Sequence, residues 1–123
     1  MLLKNKVAVI HGAAGAIGSA VARAFGREGA RLFLGGRTLA RVEEVAREIV
    51  AGGGKAEASQ VDALDGDAVE AYTSNAIARA GHIDIVFNAI GFQAIQGTPL
   101  IDLDSDDFIA PIVTGTTSQF LTS

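Results

Sequence analysis

Three glycines at three-residue spacing follow an apolar run near the amino terminus. The run Val7–Ile10 is followed by Gly12, Gly15 and Gly18. Glycine lets the backbone turn tightly and approach a bulky anion, and the N–H groups that open a following helix favour negative charge. A buried strand, a glycine loop and a helix in this order predict a dinucleotide site. The candidate contacts in the loop are Gly12, Ala14, Gly15, Ala16, Ile17 and Gly18.

Two further candidate contacts follow the second predicted strand. A protein that prefers NAD commonly has an acidic residue there to bind the ribose 2′-hydroxyl, whereas this chain has Gly35-Gly36-Arg37. The Arg37 guanidinium and the Thr38 hydroxyl suit a 2′-phosphate, so we predict NADP as cofactor, with NAD the weaker choice. The alternative is that Arg37 is a solvated loop residue.

The ends of the third and fourth predicted strands carry the remaining candidates. Asp62 is placed to accept from an adenine amino group and the Ala63 N–H to serve a ring nitrogen, although an Asp before a helix is often only a cap. The segment from Asn88 through Ala89 to Gly91 offers an amide side chain and room for a ribose. A simple turn explains that segment equally well.

Apolar runs and amphipathic segments alternate along the chain, as they do in a parallel sheet covered by helices on both faces. We predict strands over residues 6–10, 31–34, 55–61 and 83–87. We predict helices over 16–27, from the N-cap Thr38 to Gly52, from about 65 to Gly81 and over 108–123, with a looser segment over 92–106. The fold class is α/β: a Rossmann-like, doubly wound parallel sheet, truncated after about four strands and forming one domain over residues 1–123.

Two helices carry more detailed expectations. The first should pack Ile17, Val21, Ala24 and Phe25 inward, and the last should hold Pro111 in its first turn. An acidic cluster at Asp102, Asp104, Asp106 and Asp107 suits the amino terminus of that last helix. The single domain that results has ample material for a core, since 49% of the residues are hydrophobic.

The composition excludes several classes of protein. Cysteine is absent and the two histidines, His11 and His82, are isolated, so we expect neither disulfides nor a metal site. A formal net charge of −4 without any block of Lys and Arg argues against nucleic acid or an anionic membrane as partner. No apolar run is long enough to span a bilayer, and no signal peptide precedes the first strand, so we expect a cytoplasmic protein.

Together these motifs resemble the amino-terminal half of the short-chain dehydrogenase/reductase family. Residues 11–18 are similar to its Thr-Gly-x-x-x-Gly-x-Gly loop, residues 62–65 to its adenine-site aspartate motif, and residues 84–91 to its Asp-Ile-Leu-Val-Asn-Asn-Ala-Gly strand. The resemblance implies an NAD(P)-binding Rossmann domain in which Asn88 also supports the central sheet. It further implies hydride transfer between NADP(H) and a carbonyl or alcohol substrate, and a homo-oligomer formed through the helix near Phe108.

The departures from the family pattern concern both binding and catalysis. His11, Ala16 and Ala89 stand where the family has threonine, glycine and asparagine, and the Ala16 methyl group would crowd a pyrophosphate. The family transfers protons with a strand-five serine and a Tyr-x-x-x-Lys pair, but Tyr72 is the only tyrosine here and Ala76 follows it four residues later. We nominate no catalytic residue and assign Tyr72 to the core, with its hydroxyl at the surface.

Two classes of function therefore stay open. The first is an oxidoreductase of this family, represented by a partial chain that lacks the catalytic half and is inactive by itself. The alternative is a non-catalytic module that binds a nucleotide or dimerises, because the sheet edge beyond the fourth strand must be covered. A flavodoxin-like receiver or electron carrier is a weaker third, since the first strand lacks an acidic cluster and no flavin loop is evident.

Overall fold

Strands and helices alternate along the chain in the computed structural model, which describes residues 1–91 and 98–123. The first half contains β1 (Val7–His11), α1 (Ala16–Arg27), β2 (Arg31–Gly36) and α2 (Leu39–Ala51). The second half contains β3 (Lys55–Gln60), α3 (Gly66–Ala80), β4 (Ile85–Asn88), a 3-10 turn (Leu100–Asp102) and α4 (Ser105–Thr122). Residues 92–97 of the segment predicted to be loose lie outside the described residues.

The four strands form one parallel sheet in the order β3-β2-β1-β4. The chain builds outward from β1 through β2 to β3 and then crosses back to place β4 on the other side of β1. His11 at the end of β1 lies opposite both Gly35 of β2 and Asn88 of β4. This order brings the carboxyl ends of β2, β1 and β4 side by side and confirms the predicted doubly wound sheet.

The sheet is buried on both faces by two separate apolar clusters. Ala8 and Ile10 of β1 point into a cluster with α1 and α2, whereas Val7 and Val9 point into a cluster with α3. Residues on alternate sides of one strand thus contribute to both layers, which explains why β1 is apolar throughout rather than alternating with polar residues. Among the described residues, no helix combines the length and the hydropathy needed to cross a membrane.

The inner face of α1 differs from the predicted one. Gly18 and Ala22 are buried against the sheet, whereas Ile17 is 68% exposed. Gly18 lies directly against the backbone of Gly12, so the first turn of the helix meets the sheet at Gly18 instead of Ile17. Phe25 packs half-buried on the cluster as expected.

The last helix starts earlier than predicted, and Pro111 lies beyond its first turn. Helix α4 begins at Ser105, and Asp104 caps it by accepting from the Asp106 N–H at 3.1 Å. Asp106 and Asp107 lie in the first turn, where negative charge is favourable, as the acidic cluster predicts. Pro111 therefore sits inside the helix, where it removes a backbone hydrogen bond.

Asp84 joins the amino ends of β1 and β4. Its Oδ2 accepts from the Val7 N–H at 2.8 Å, and its own N–H donates to the Val7 carbonyl at 2.9 Å. The same carboxylate lies 3.0 Å from Nε2 of His82. The Val7 hydrogen bond, assisted by the nearby His82, lowers the pKa of Asp84, because these partners favour the charged carboxylate.

The lowered pKa of Asp84 predicts a loss of stability in acid. The ionised carboxylate stabilises the fold above the pKa of an aspartate in the unfolded chain, and this contribution disappears as the pH falls through the lower pKa of the folded protein. We expect Asp84→Asn to lower the free energy of unfolding near neutral pH and to flatten its fall between about pH 5 and about pH 2. Urea denaturation across this range measures both effects.

The matched control is Asp102→Asn, which changes an exposed carboxylate in the 3-10 turn. It should leave the acid dependence of the unfolding free energy unchanged. If the Asp84 variant followed the wild-type curve at every pH, the stabilising role of the charged carboxylate would be disproved.

Candidate cofactor-binding site

An open groove of about 410 Å³ lies at the carboxyl ends of β1, β2 and β4. Ten of the predicted site residues line it: Gly12, Ala14, Gly15, Ala16, Arg37, Thr38, Asp62, Ala63, Ala89 and Gly91. The other three, Ile17, Gly18 and Asn88, are not among its lining residues. The sheet topology thus brings together side chains from four separate segments of the chain.

Gly12 and Gly18 hold the loop in shape because neither position has room for a side chain. Gly12 has φ +73°, and a Cβ on it would lie 2.7 Å from the Ala89 carbonyl oxygen. A Cβ on Gly18 would lie 2.8 Å from the Gly12 carbonyl carbon. Both glycines therefore serve the close packing of β1, α1 and the segment after β4.

Gly15 has a different role, because it faces the groove instead of packed backbone. The nearest atom to a Cβ on Gly15 would be the Gly12 carbonyl oxygen at 3.5 Å, an ordinary contact. Gly15 is the N-cap residue of α1 and lines the groove beside Ala14 and Ala16. A side chain at this position would occupy the groove, so Gly15 keeps space for a ligand.

The amino terminus of α1 opens onto the rim formed by these small residues. The Ser19 N–H donates to the Gly15 carbonyl at 2.9 Å, which leaves the N–H groups of residues 16–18 without an intrahelical acceptor. The first turn carries no acidic side chain that would oppose an anion. Free N–H groups, the helix dipole and the space at Gly15 together fit a pyrophosphate.

Arg37, Thr38 and Arg41 line the end of the groove beside β2. All three are exposed, and no carboxylate in the described part of the chain lies within ion-pair distance of either arginine. Thr38 occupies the N-cap position of α2 as predicted, but its side chain makes no capping hydrogen bond. Its hydroxyl therefore remains available to a ligand. Gln60 donates from Nε2 to the Arg37 carbonyl at 3.1 Å and holds this loop.

Asp62 is exposed at the groove and is not the cap of α3. Its Oδ1 accepts from the Leu64 N–H at 3.0 Å, which forms a local turn. The cap of α3 is Asp65, which accepts from the N–H groups of Asp67 and Ala68. The helix-cap interpretation of Asp62 is therefore wrong, because the helix starts four residues further along the chain, at Gly66.

The Asn88 side chain forms two hydrogen bonds that hold the end of β4. Its Oδ1 accepts from the Ile90 N–H at 2.8 Å, and its Nδ2 donates to the Thr122 hydroxyl at 2.9 Å. Asn88 thus forms the local turn and also links β4 to α4. Ala89 and Gly91, which follow it, line the groove.

His11 and Tyr72 lie on the opposite side of the sheet end from the groove. His11 is 2% exposed, and its ring meets the Tyr72 ring edge-on with a centroid separation of 5.3 Å. Burial lowers the pKa of His11 and raises that of Tyr72, because the charged form of each is poorly solvated there.

The position of the Tyr72 hydroxyl differs from the prediction. Tyr72 is 4% exposed, and its hydroxyl is buried without a hydrogen-bond partner among the described residues. The ring packs over Gly35, where a Cβ would lie 3.2 Å from Cζ of Tyr72. The absence of a side chain on Gly35 lets the ring sink between α3 and the sheet.

Sequence reasoning missed six lining residues of the groove: Gly36, Arg41, Val61, Leu64, Ile90 and Thr114. Arg41 follows Arg37 by four residues at the start of a predicted helix, a spacing that places both on one side of the chain. That signal was sufficient to find Arg41. Thr114 comes from α4, and no local pattern connects it with the groove.

The family profile described as short chain dehydrogenase matches residues 6–123. The chain belongs to this family. The match starts at the strand before the glycine loop and includes all eight helices and strands from β1 to α4. Membership in the short chain dehydrogenase family accounts for the shared order of the loop, the aspartate turn and the β4 segment.

Relatives from Bacillus subtilis are longer than this short chain dehydrogenase chain. The uncharacterized oxidoreductase YxbG is 40% identical over 95 residues, which cover 77% of this chain and 35% of that protein. The uncharacterized oxidoreductase UxuB is 31% identical over an alignment of 134 positions, which covers 98% of this chain and 48% of that protein. The chain thus spans between a third and a half of these two relatives.

Solved short chain dehydrogenase structures share the fold over the whole chain. A metagenomic short-chain oxidoreductase in complex with NADP has a TM-score of 0.85 at 34% identity, covering 99% of this chain and 55% of that one. An NAD+-bound xylitol dehydrogenase has a TM-score of 0.90 at 27% identity, covering 99% of this chain and 46% of that one. The two structures hold different dinucleotides, so the likeness by itself does not choose between NADP and NAD.

The two classes of glycine in the loop predict effects on stability of different size. We expect Gly18→Ala to lower the free energy of unfolding by about 1–3 kcal/mol, because its methyl group forces the backbone of Gly12 to move. Gly15→Ala, the matched control, should change it by no more than about 0.5 kcal/mol. Urea denaturation of both variants compares them, and equal losses would contradict the distinction.

Proposed function

We propose that the chain is the cofactor-binding half of an NADP(H)-dependent oxidoreductase that interconverts a carbonyl compound and an alcohol. The observation that carries the choice of cofactor is the pair Arg37 and Arg41 at the β2 end of the groove, with Thr38 between them and no carboxylate of the described residues within ion-pair distance of either arginine. When bound, the nicotinamide supplies or accepts the hydride.

The two arginines suit a phosphate on the adenosine ribose. A guanidinium presents several N–H donors in a planar fork and stays charged at physiological pH, so it binds phosphate oxygens in pairs. Arg37 lies just beyond β2, and Arg41 lies one helical turn further along, within reach of the same end of the groove. The hydroxyl of Thr38, which makes no capping hydrogen bond, adds a neutral donor. A ribose with a free 2′-hydroxyl would leave both charges without a partner.

The proposed positions of the other parts of the dinucleotide follow from where the lining residues lie along the groove. The pyrophosphate lies on the free N–H groups at the start of α1, above Gly15. The adenine lies beside Asp62 and Ala63, where one carboxylate oxygen holds the Leu64 turn and the other is left to accept from an amino group. Ala89 and Gly91 leave space for the second ribose.

The substrate chemistry is assigned to polypeptide beyond residues 1–123. The Tyr-x-x-x-Lys pair that the family uses for proton transfer has no counterpart in this sequence, since Ala76 stands four residues after the only tyrosine, Tyr72. The buried hydroxyl of Tyr72 also lies on the opposite side of the sheet end from the groove. The chain therefore supplies binding and orientation of the cofactor.

A second candidate function is self-association, as a homo-oligomer that binds a nucleotide without catalysis. The observation that favours it is the apolar surface beside β4, an edge strand of the described sheet. Val86 of β4 is 48% exposed, and Ile109 and Val113 of α4 are 48% and 55% exposed. Unpaired strand edges and exposed apolar side chains favour association with another polypeptide.

The cofactor assignment predicts that the arginines discriminate NADPH from NADH. We expect Arg37→Ala to weaken NADPH binding about ten- to hundredfold, because a charge-assisted bond to the phosphate is lost, and to change NADH binding less than about threefold. Isothermal titration calorimetry with both dinucleotides measures the ratio. Arg41→Ala should act in the same direction with a smaller effect, since the longer reach from the helix gives weaker geometry.

Arg47→Ala is the matched control, because Arg47 is an exposed arginine of the same helix that does not line the groove. It should leave both affinities unchanged. Equal affinity of the wild type for NADPH and NADH, or an Arg37 variant that binds NADPH normally, would refute the 2′-phosphate contact.

If this chain binds the cofactor and the proton donor lies outside it, the chain should bind NADPH without turning it over. We expect the 123-residue chain to oxidise no NADPH above the buffer rate with a panel of aldehydes and ketones, because its only tyrosine lacks the lysine that assists proton transfer in the family. Absorbance of NADPH follows the reaction, and calorimetry on the same preparation verifies that the protein binds. Any turnover proportional to protein concentration would show that the chain carries its own proton donor. Sedimentation equilibrium on this preparation tests for the oligomer.

A further inference from the structure

The side chain of His11 makes none of the proposed cofactor contacts, yet it is buried directly behind the glycine loop. His11 is the last residue of β1, is 2% exposed and precedes Gly12. Its ring points toward α3 and meets Tyr72 edge-on at 5.3 Å. A group that titrates near physiological pH thus lies one residue from the loop that the pyrophosphate contacts.

The surroundings of the ring favour the neutral imidazole. The ring lines a cavity of about 310 Å³ together with aliphatic side chains such as Val9 and hydroxyl side chains such as Thr122. The titratable groups facing it from α3 are Tyr72 and Glu70, and Glu70 is exposed to solvent. From α4 and from the described parts of β2 and β4, no titratable side chain lines this cavity. Burial accordingly lowers the pKa of His11.

The backbone of His11 is hydrogen-bonded to a segment that lines the groove. Its carbonyl accepts from the Ala89 N–H at 2.9 Å. The Ala13 N–H, two residues later, donates to the Gly35 carbonyl at 3.1 Å, so the loop is fastened to both neighbouring strands. Because Gly12 leaves no spare space against Ala89, a shift of the β1 end moves the loop and the β4 segment together.

We propose that protonation of His11 releases the dinucleotide. The neutral ring packs against Tyr72 and keeps the end of β1 in register with β4, whereas the imidazolium must move toward water and displaces the Gly12 loop. This makes His11 a positioning residue, and the inference rests on the proposed dinucleotide site. If only the neutral form binds, affinity falls about tenfold at about one pH unit below the midpoint of the free protein.

The test is a calorimetric titration of NADP+ from about pH 8 down to about pH 5, since burial lowers the pKa of His11. We expect wild-type affinity to fall at least about fivefold more than that of His11→Thr, with His11→Gln as the replacement if the threonine variant does not fold. His82→Gln, which changes the other histidine at the far end of the sheet, should follow the wild type. The 2′-phosphate itself titrates near pH 6, but it does so equally with every variant. A His11 variant with the wild-type pH dependence would overturn the proposal.

Nuclear magnetic resonance of the ligand-free protein separates this inference from the proposed function. The amide signals of Gly12 and Ala89 should shift with the midpoint of the His11 ring, while circular dichroism shows the protein folded throughout. If these amides ignore the His11 titration, the inference fails even where NADP+ binds. If no dinucleotide binds at any pH, the proposed function fails, release by protonation fails with it, and the amides still report whether His11 moves the loop.

Discussion

The contact of Gly12 with the backbone of Ala89 is the constraint on which the site depends. At this point β1, the start of α1 and the segment after β4 come closer together than any side chain at residue 12 would allow. Gly18 makes the same kind of contact from the first turn of α1. Because the approach involves backbone on both sides, no rotamer change can relieve an added methyl group. The groove exists only where the three segments meet at this distance.

The charge at the groove comes from two sources at its two ends. The α1 end offers backbone N–H groups and a helix dipole without any charged side chain in the first turn. The β2 end offers the side chains of Arg37 and Arg41. Both features are electropositive, although the chain as a whole has a formal net charge of −4. Local geometry, and not the net charge, therefore makes both ends of the groove favourable for an anion.

The sequence was sufficient for the parallel sheet and for most of the groove, because the spacing of apolar residues and the positions of turn residues reflect burial and strand ends directly. The carboxyl ends of parallel strands meet at one edge, so Arg37, Asp62 and Ala89 could be brought together without coordinates. What failed depended on contacts between distant residues. Ile17 has the right spacing for an inward face, but packing at Gly18 turns it outward. The Tyr72 hydroxyl is buried because Gly35, far away in sequence, leaves room for its ring.

The same steric distinction explains how the loop can depart from the family pattern at residue 16 and keep its shape. Positions 12 and 18 face backbone and admit only glycine, whereas positions 15 and 16 face the groove. This chain has glycine at 15 and alanine at 16, so the methyl group at the rim of the groove belongs to residue 16 and not to residue 15. Neither residue packs against the sheet, so an alanine at position 15 or 16 changes the shape of the groove and leaves the packing of the sheet unchanged. Variation at residues 15 and 16 therefore changes the space in the groove, while variation at 12 and 18 changes whether the groove forms.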